Sequence, residues 1–150
     1  APAAFSLHGI GRDGARTPMP WTVTKPMVGF TVADDAWLPV DPRHRAMAAD
    51  VQEADSGSVL AFTRRMIAAR KQSPALRAGV YASLDAPDPL LAFERRLGDE
   101  RVVCLFNLGA EPRSFTLPEA PKGLRLSAGE AALKGQDAEL GGFSCLLVDC

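Results

Sequence analysis

The stretch that decides the fold is residues 90–108, LLAFERRLGDERVVCLFNL. It contains two runs rich in apolar residues, Leu90–Arg95 and Arg101–Leu108, on either side of the pair Gly98-Asp99. A Gly-Asp pair between two such runs is typical of the tight turn of a β-hairpin. The stretch therefore predicts two adjacent antiparallel strands.

Four further runs of strand-forming residues lie around this hairpin: Val80–Leu84, Ser114–Leu117, Leu124–Ser127 and Phe143–Asp149. Turn residues separate them, at 87–89 and 109–112. Six short strands at this spacing predict a small antiparallel β-sandwich or barrel. Residues 134–142 carry three glycines among polar residues and are predicted to form a loop.

One amphipathic helix is predicted over residues 56–72, where apolar side chains recur at helical spacing at Val59, Phe62, Met66 and Ala69. Three side chains are candidates for its N-terminal cap: Asp55, Ser56 and Ser58. Ser73-Pro74 predicts the end of the helix. A short turn through residues 75–77 is expected to end at Gly79.

The first 54 residues show little regular periodicity and are punctuated by proline and glycine. A stretch this long without predicted helices or strands is either disordered or a set of functional loops. Large apolar residues, among them Met19, Trp21, Phe30 and Trp37, favour ordered loops, because disordered segments are poor in such residues.

The composition is that of an ordinary globular protein, with 47% hydrophobic residues, 23% charged residues and a formal net charge of −1. This balance gives no indication of nucleic-acid or membrane-surface binding. The N-terminus has neither a signal-peptide pattern nor a methionine, so we expect the chain to begin inside a larger protein. The cellular compartment, cytoplasmic or periplasmic, stays open.

The three cysteines, Cys104, Cys145 and Cys150, have no CxxC spacing, and the two histidines are far apart, so no metal site is predicted. Cys104 and Cys145 lie in two apolar runs. A disulfide between them would form only if the two strands pair, and the sequence leaves that question open.

Residues 11–21, GRDGARTPMPW, carry the densest set of functional groups. Gly14 permits a turn with positive φ, and Asp13 can hydrogen-bond the turn backbone. Arg16 offers a planar fork of donors suited to carboxylates or sugar hydroxyls. On composition alone, a surface loop with a solvated Arg–Asp pair is the simpler interpretation.

The same eleven residues resemble a signature of the α-amylase clan of glycoside hydrolases, in the branch of α-glucosidases, oligo-1,6-glucosidases and related sucrose- and trehalose-acting enzymes. Segments further along the chain resemble that branch in the same order: residues 29–31, 37–40, 58–70, 74–77, 91–95 and 105–108. The signature is specific, whereas the strand segments alone would be weak.

The resemblance implies a mainly β chain, in which an antiparallel β-sandwich follows the last loop and helix of a (β/α)8 barrel. Residues 1–78 would be the C-terminal remnant of the catalytic barrel, and residues 79–150 the β-sandwich domain. Active sites of such barrels lie on the βα loops, which would explain the long irregular segment at the start of the chain.

Retaining glycosidases use two carboxylates about 5–5.5 Å apart, one as nucleophile and one as general acid and base. In this family both lie upstream of the signature, so no catalytic residue is assigned in this chain, and no cofactor. Asp34-Asp35 is not assigned catalysis, because adjacent side chains on an extended loop diverge.

The resemblance gives Arg16 the role of a substrate-binding residue that bonds hydroxyls of the terminal glucose. Arg12, Asp13, Gly14 and Trp21 are expected to shape the loop, with core packing favoured for the Trp21 ring.

Three functional hypotheses follow. In the first, the chain is part of an exo-acting α-glucosidase, and its partners are an α-glucoside oligosaccharide and the missing barrel portion of the enzyme. In the second, it is a free-standing, non-catalytic, β-rich module that binds carbohydrate or another partner. In the third, it is a structural remnant that folds and binds nothing. A free-standing module would have to cover the apolar stripe of the helix with its own sandwich or by dimerising.

Overall fold

The computed structural model describes residues 16–150. These residues divide into two compact units, a first unit that ends at Ala61 and a second that spans Phe62–Cys150. Three of the predicted loop-shaping residues, Arg12, Asp13 and Gly14, lie outside the described residues.

The first unit contains more regular structure than the sequence predicts. Two 3-10 turns, Pro26–Gly29 and Pro42–Met47, precede helix α1, Ala49–Ala54. Proline occupies the first position of both 3-10 turns, where its missing N–H costs no hydrogen bond. The expectation of irregular structure throughout this segment is therefore wrong for α1, which is too short to show a helical apolar period.

The predicted amphipathic helix is observed as α2, Val59–Gln72. Of the three candidate caps, the Ser58 hydroxyl occupies the capping position, since it accepts a hydrogen bond from the Ala61 backbone N–H at 3.1 Å. The chain then turns at Ser73 into the short helix α3, Pro74–Ala78, which ends before Gly79 as predicted.

The rest of the second unit consists of eight strands: β1 Val80–Ser83, β2 Leu90–Leu97, β3 Glu100–Asn107, β4 Arg113–Thr116, β5 Gly123–Ala128, β6 Ala131–Lys134, β7 Asp137–Leu140 and β8 Cys145–Asp149. They form a five-stranded sheet of order β1-β2-β3-β8-β5 and a three-stranded sheet of order β4-β7-β6, both antiparallel. The predicted hairpin is confirmed: Leu97 pairs with Glu100 across Gly98, which has a φ of 56°.

The central strands of the five-stranded sheet, β3 and β8, are buried on both faces. One face forms a core with the three-stranded sheet, with members that include Leu105, Leu117, Leu140, Leu146 and Val148. The opposite face packs against α3 and the apolar side of α2, with members that include Leu76, Val102, Cys104 and Leu147. Burial on both faces explains the continuous apolar run of β3, because such a strand has no solvent-facing positions to fill with polar residues.

The prediction of a loop over residues 134–142 is wrong. Strands β6 and β7 pair as a hairpin, with Lys134 opposite Asp137 and a positive-φ glycine, Gly135, in the turn. In β7 only Ala138 and Leu140 are buried, so the strand alternates but carries few strand-forming residues. The sequence pattern was therefore too weak to show this hairpin.

The mainly β fold class and the C-terminal antiparallel β-sandwich are confirmed. Within residues 16–150, no helix has the length and apolar character required to cross a bilayer.

Candidate functional site

The predicted substrate-binding residue, Arg16, is the first described residue and has an exposed side chain. Pro18, two residues later, is buried and fixes φ of the chain at that point. The guanidinium, which carries five N–H donors, therefore lies at the start of a segment whose backbone is restrained.

A tight loop follows Arg16. The backbone N–H groups of Trp21 and Thr22 both donate to the carbonyl oxygen of Val28, at 2.8 and 2.9 Å. Val28 is fully buried, and it shares a φ of 47° with Met27 before Gly29 at 75°. A left-handed conformation is unusual for a β-branched residue, and such strain is found where the surrounding structure fixes a functional loop.

The carboxylate of Asp50, in the first turn of α1, holds the other side of this loop. It accepts hydrogen bonds from the Val23 backbone N–H at 3.1 and 3.2 Å. The Asp50 and Ala49 N–H groups in turn donate to the carbonyls of Trp21 and Pro20, at 3.1 and 3.0 Å. Residues 20–23 are thereby tied to the N-terminus of α1 by both backbone and side-chain bonds. No sequence pattern points to Asp50, because a single acidic residue at a helix start has no signature beyond capping.

Trp21 is 53% exposed among the described residues, and the interpretation that favoured core packing of its ring stays a prediction. Its backbone N–H donates to the Val28 carbonyl, and its own carbonyl accepts from the Asp50 N–H. Trp37 is even more open, at 97% exposure. Both members of the Asp34-Asp35 pair are exposed as well. His44, interpreted as part of a solvated loop, is half-buried, and its Nδ1 atom is buried without a hydrogen-bond partner among the described residues.

An ion pair with several hydrogen bonds lies at the start of the second 3-10 turn. The side chain and backbone N–H of Arg43 both donate to the carboxylate of Asp41, with bonds of 2.5–3.0 Å. These hydrogen bonds hold the pKa of Asp41 far below its usual range. Both residues sit at an accessible turn and act on its local geometry.

In the β-domain, the carboxylate of Glu100, at the start of β3, accepts hydrogen bonds from the start of α3 and from Arg125 on β5, one strand further along the sheet than β8. It accepts from the Ser73 hydroxyl at 2.6 Å, the Ala75 N–H at 2.8 Å and the Arg125 guanidinium at 3.1 Å. Burial acts to raise the pKa of Glu100, but these three donors together lower it. Glu100 is therefore a structural anchor that joins α3 to the sheet.

Asn107, interpreted as a turn former rather than a ligand, is almost completely buried. Its Nδ2 donates to the carbonyls of Glu111 and Gly141, each at 2.8 Å, and its Oδ1 accepts from the Gly109 N–H at 3.0 Å. It therefore closes the turn after β3 and joins it to the end of β7.

All three cysteines are free and buried. Cys104 lies opposite Leu147 in the sheet, whereas Cys145 lies opposite Phe106, so the two thiols are on diagonal rather than directly paired positions. Burial raises the pKa of the Cys104 thiol to about 12 and also raises the pKa of Cys145 and Cys150.

Two family models match the chain and meet at the end of α3. A model described as the α-amylase catalytic domain matches residues 3–79, and one described as a domain of unknown function, DUF3459, matches residues 77–147. Together with the loop, the closing helix and the following β-sandwich, these matches show that the chain belongs to the α-amylase family of glycoside hydrolases.

Two of the relatives that the chain matches are named for glucosidase activities. A protein named as a probable α-glucosidase from Rhizobium meliloti (strain 1021) is 44% identical over 72% of this chain, which is 19% of that protein. An oligo-1,6-glucosidase from Parageobacillus thermoglucosidasius is 33% identical over 75% of this chain and 20% of its own length. The chain thus spans about one fifth of these relatives.

Among solved structures, the trehalulose synthase MutB from Pseudomonas mesoacidophila MX-45 aligns with a TM-score of 0.82 and 31% identity. The alignment covers 93% of this chain and 26% of that enzyme. The chain therefore has the fold of one part of a larger enzyme.

Proposed function

We propose that the chain forms the C-terminal part of an exo-acting α-glucosidase that removes terminal α-linked glucose from oligosaccharides. The observation that carries this proposal is the collinear match to a catalytic-domain model and then to a β-domain model, together with relatives named as glucosidases. In this assignment, residues 1–78 contribute the last substrate loop and closing helix of the barrel, and residues 79–150 the β-sandwich domain.

Arg16 is the residue of this chain that binds the terminal glucose. An exposed guanidinium ahead of a loop fixed by Val28 and Asp50 offers several donors in a set direction. Sugar hydroxyls that reach this fork satisfy it, whereas a ligand without them leaves the cation unpaired and desolvated. Such a site favours a chain end, which presents more free hydroxyls than an internal glucose.

The two carboxylates needed for glycoside hydrolysis come from the part of the catalytic domain that precedes the signature. The chain by itself is therefore inactive: it supplies binding and support, while bond cleavage requires a nucleophile and a general acid about 5–5.5 Å apart.

The proposal is tested with a chimera in which the Rhizobium relative, up to the matched region, is joined to this chain. We expect the chimera to hydrolyse an aryl α-glucoside and the chain alone to show no turnover that survives repurification. Within the chimera, Arg16→Ala should lower kcat/KM about 100-fold, since hydrogen bonds from a charged donor contribute roughly 1.5–3 kcal/mol. The control is Arg113→Ala, because within residues 16–150 the Arg113 guanidinium donates only to the carbonyl of its neighbour, Pro112, in the β-domain.

A chimera that turns over the glucoside equally well with Arg16→Ala would remove Arg16 from the substrate site. Turnover by the chain alone would contradict the assignment of both carboxylates to the missing segment.

A second candidate function is that of a free-standing β-rich module that binds carbohydrate without catalysis. It is favoured by one observation: Phe62 and Met66 of the helix stripe pack against the chain's own sheet, as such a module requires. This candidate predicts that the chain alone binds maltose or isomaltose in a calorimetric titration, whereas the glucosidase proposal predicts no such binding without the barrel.

A further inference from the structure

The irregular segment 20–23 is hydrogen-bonded at every backbone polar group from the Pro20 carbonyl to the Val23 carbonyl. Up to residue 22 the partners are other backbone atoms: the N–H groups of Ala49, Asp50 and Lys25 donate to the carbonyls of Pro20, Trp21 and Thr22, and the Val28 carbonyl accepts from the N–H groups of Trp21 and Thr22. A helix or a sheet provides such pairing by repetition. An irregular segment obtains it only where other parts of the chain are shaped to supply the partners.

The backbone of Val23, at the end of this segment, is paired by two charged side chains from further along the chain. Arg45, in the second 3-10 turn, donates from its Nη1 to the Val23 carbonyl at 2.9 Å. The carboxylate of Asp50, in the first turn of α1, accepts from the Val23 N–H at 3.1 and 3.2 Å. Hydrogen bonds in which one partner is ionised are stronger than bonds between neutral groups. Arg45 and Asp50 therefore form a clamp on Val23, with the cation at its carbonyl and the anion at its N–H.

The clamped segment lies just after Arg16 in the chain. Between the Arg16 side chain and the segment, Pro18 and Pro20 each fix φ, so that the intervening backbone has little rotational freedom. The orientation in which the Arg16 guanidinium leaves the chain therefore depends on where the segment 20–23 is held.

We propose that Arg45 and Asp50 are positioning residues for the guanidinium of Arg16. They fix the backbone of Val23, and the segment 20–23 in turn sets the direction from which Arg16 meets the hydroxyls of the terminal glucose. The inference rests on the proposed function, in which Arg16 binds that glucose. A binding group that is oriented before its ligand arrives loses less conformational entropy on binding, which is the advantage that the clamp provides.

A purely structural role for the clamp leads to a different expectation. If Arg45 and Asp50 only stabilised the first unit, their loss would lower activity by the same factor whether or not Arg16 is present. If they act through Arg16, their loss has no further effect once Arg16 is replaced by alanine. A double-mutant cycle between Asp50 and Arg16 separates the two roles.

The cycle is measured in the Rhizobium chimera. Asp50→Ala should lower kcat/KM about tenfold, mainly by raising KM, because Arg16 binds the glucose in the ground state as well as in the transition state. In a chimera that already carries Arg16→Ala, the same change should alter kcat/KM by less than about twofold. Asp50→Asn should recover most of the loss, since its amide oxygen still accepts from the Val23 N–H. A tenfold loss that persists beside Arg16→Ala would overturn the positioning role.

The second side chain of the clamp has a matched control on the same 3-10 turn. Arg45→Ala should raise KM as Asp50→Ala does, and Arg45→Lys should recover part of the loss, because the ammonium group retains a donor. Arg43→Ala is the control: the Arg43 side chain donates to Asp41 at 3.0 Å, and the loss of an exposed ion pair should leave KM within about twofold of the parent value. An equal rise of KM in the Arg43 and Arg45 variants would contradict a specific role for the clamp.

Amide hydrogen exchange tests the clamp in the chain alone. Asp50→Ala should speed exchange of the Val23 amide about tenfold in an NMR measurement, because this N–H loses its acceptor, whereas Arg43→Ala should leave the rate unchanged. Unchanged exchange at Val23 in Asp50→Ala would overturn the positioning role and leave the proposed function standing. A chimera without turnover, or one in which Arg16→Ala has no effect, would contradict the proposed function and the positioning role together.

Discussion

The hydroxyl of Ser73 donates a 2.6 Å hydrogen bond to the carboxylate of Glu100, and this contact joins the start of α3 to the start of β3. Ser73 also caps α3, because its Oγ accepts from the Leu76 N–H at 3.0 Å. One serine therefore satisfies the helix terminus and the sheet at the same time. The contact lies where the catalytic-domain match gives way to the DUF3459 match.

Glu100→Gln should destabilise the chain by about 1–2 kcal/mol at neutral pH, because the charged acceptor of three hydrogen bonds is lost. The lowered pKa of Glu100 means that its stabilisation is fully present above the ordinary carboxyl pKa of 4.5 and is lost as the pH falls through the folded value. Urea unfolding at pH 7 and at pH 3 measures both effects. The difference between variant and parent should shrink at the lower pH, and Glu111→Gln, at an exposed position, should match the parent at pH 7.

Asn107→Ala should cost roughly 2–3 kcal/mol, since it leaves the Gly109 N–H and two carbonyls without their buried partner. Asn107→Asp should be no better, because it retains the acceptor but loses the donors. Thermal unfolding of both variants measures the effect. If Asn107→Ala melts at the parent temperature, water replaces the side chain and the turn after β3 does not depend on it.

The Cys104 thiol should resist alkylation at pH 8, because burial raises its pKa to about 12 and the thiolate is the reactive form. Mass spectrometry after brief treatment with iodoacetamide should show labelling at Cys104 only when urea unfolds the chain. Since all three thiols are free, added reductant should leave the melting temperature unchanged. A shift with reductant would indicate a disulfide.

Amide hydrogen exchange should be slowest in β3 and β8, whose residues are buried on both faces of the sheet. Residues 16–54 should exchange faster in the chain alone, because their loops are held by a few hydrogen bonds rather than by a large core. Exchange followed peptide by peptide measures this contrast. Uniform protection across both segments would contradict it.

The sequence predicts the second unit well where a strand is buried on both faces or a turn has a clear signature. The 90–108 hairpin shows both features, and its register follows from them. The sequence is a poor predictor of strands that are short and half-exposed, as in the β6–β7 hairpin. Four alternating residues with few strand formers carry little signal.

In the candidate site, too, some residues are predicted from the sequence and others are not. The chemistry of Arg16 follows from the signature around it, whereas the contribution of Asp50 depends on a bond to Val23, 27 residues away, that no local pattern encodes. The exposure of Trp21 in the described residues was not predicted either, because apolar size alone does not indicate which side of a loop faces solvent.

The most direct test of the central claim is the coding sequence upstream of Ala1. The account predicts an in-frame segment that encodes the rest of an α-amylase catalytic domain, including two acidic residues that can serve as nucleophile and general acid. A start codon close to Ala1, with no such segment upstream, would contradict it and leave a stand-alone module of glucosidase ancestry.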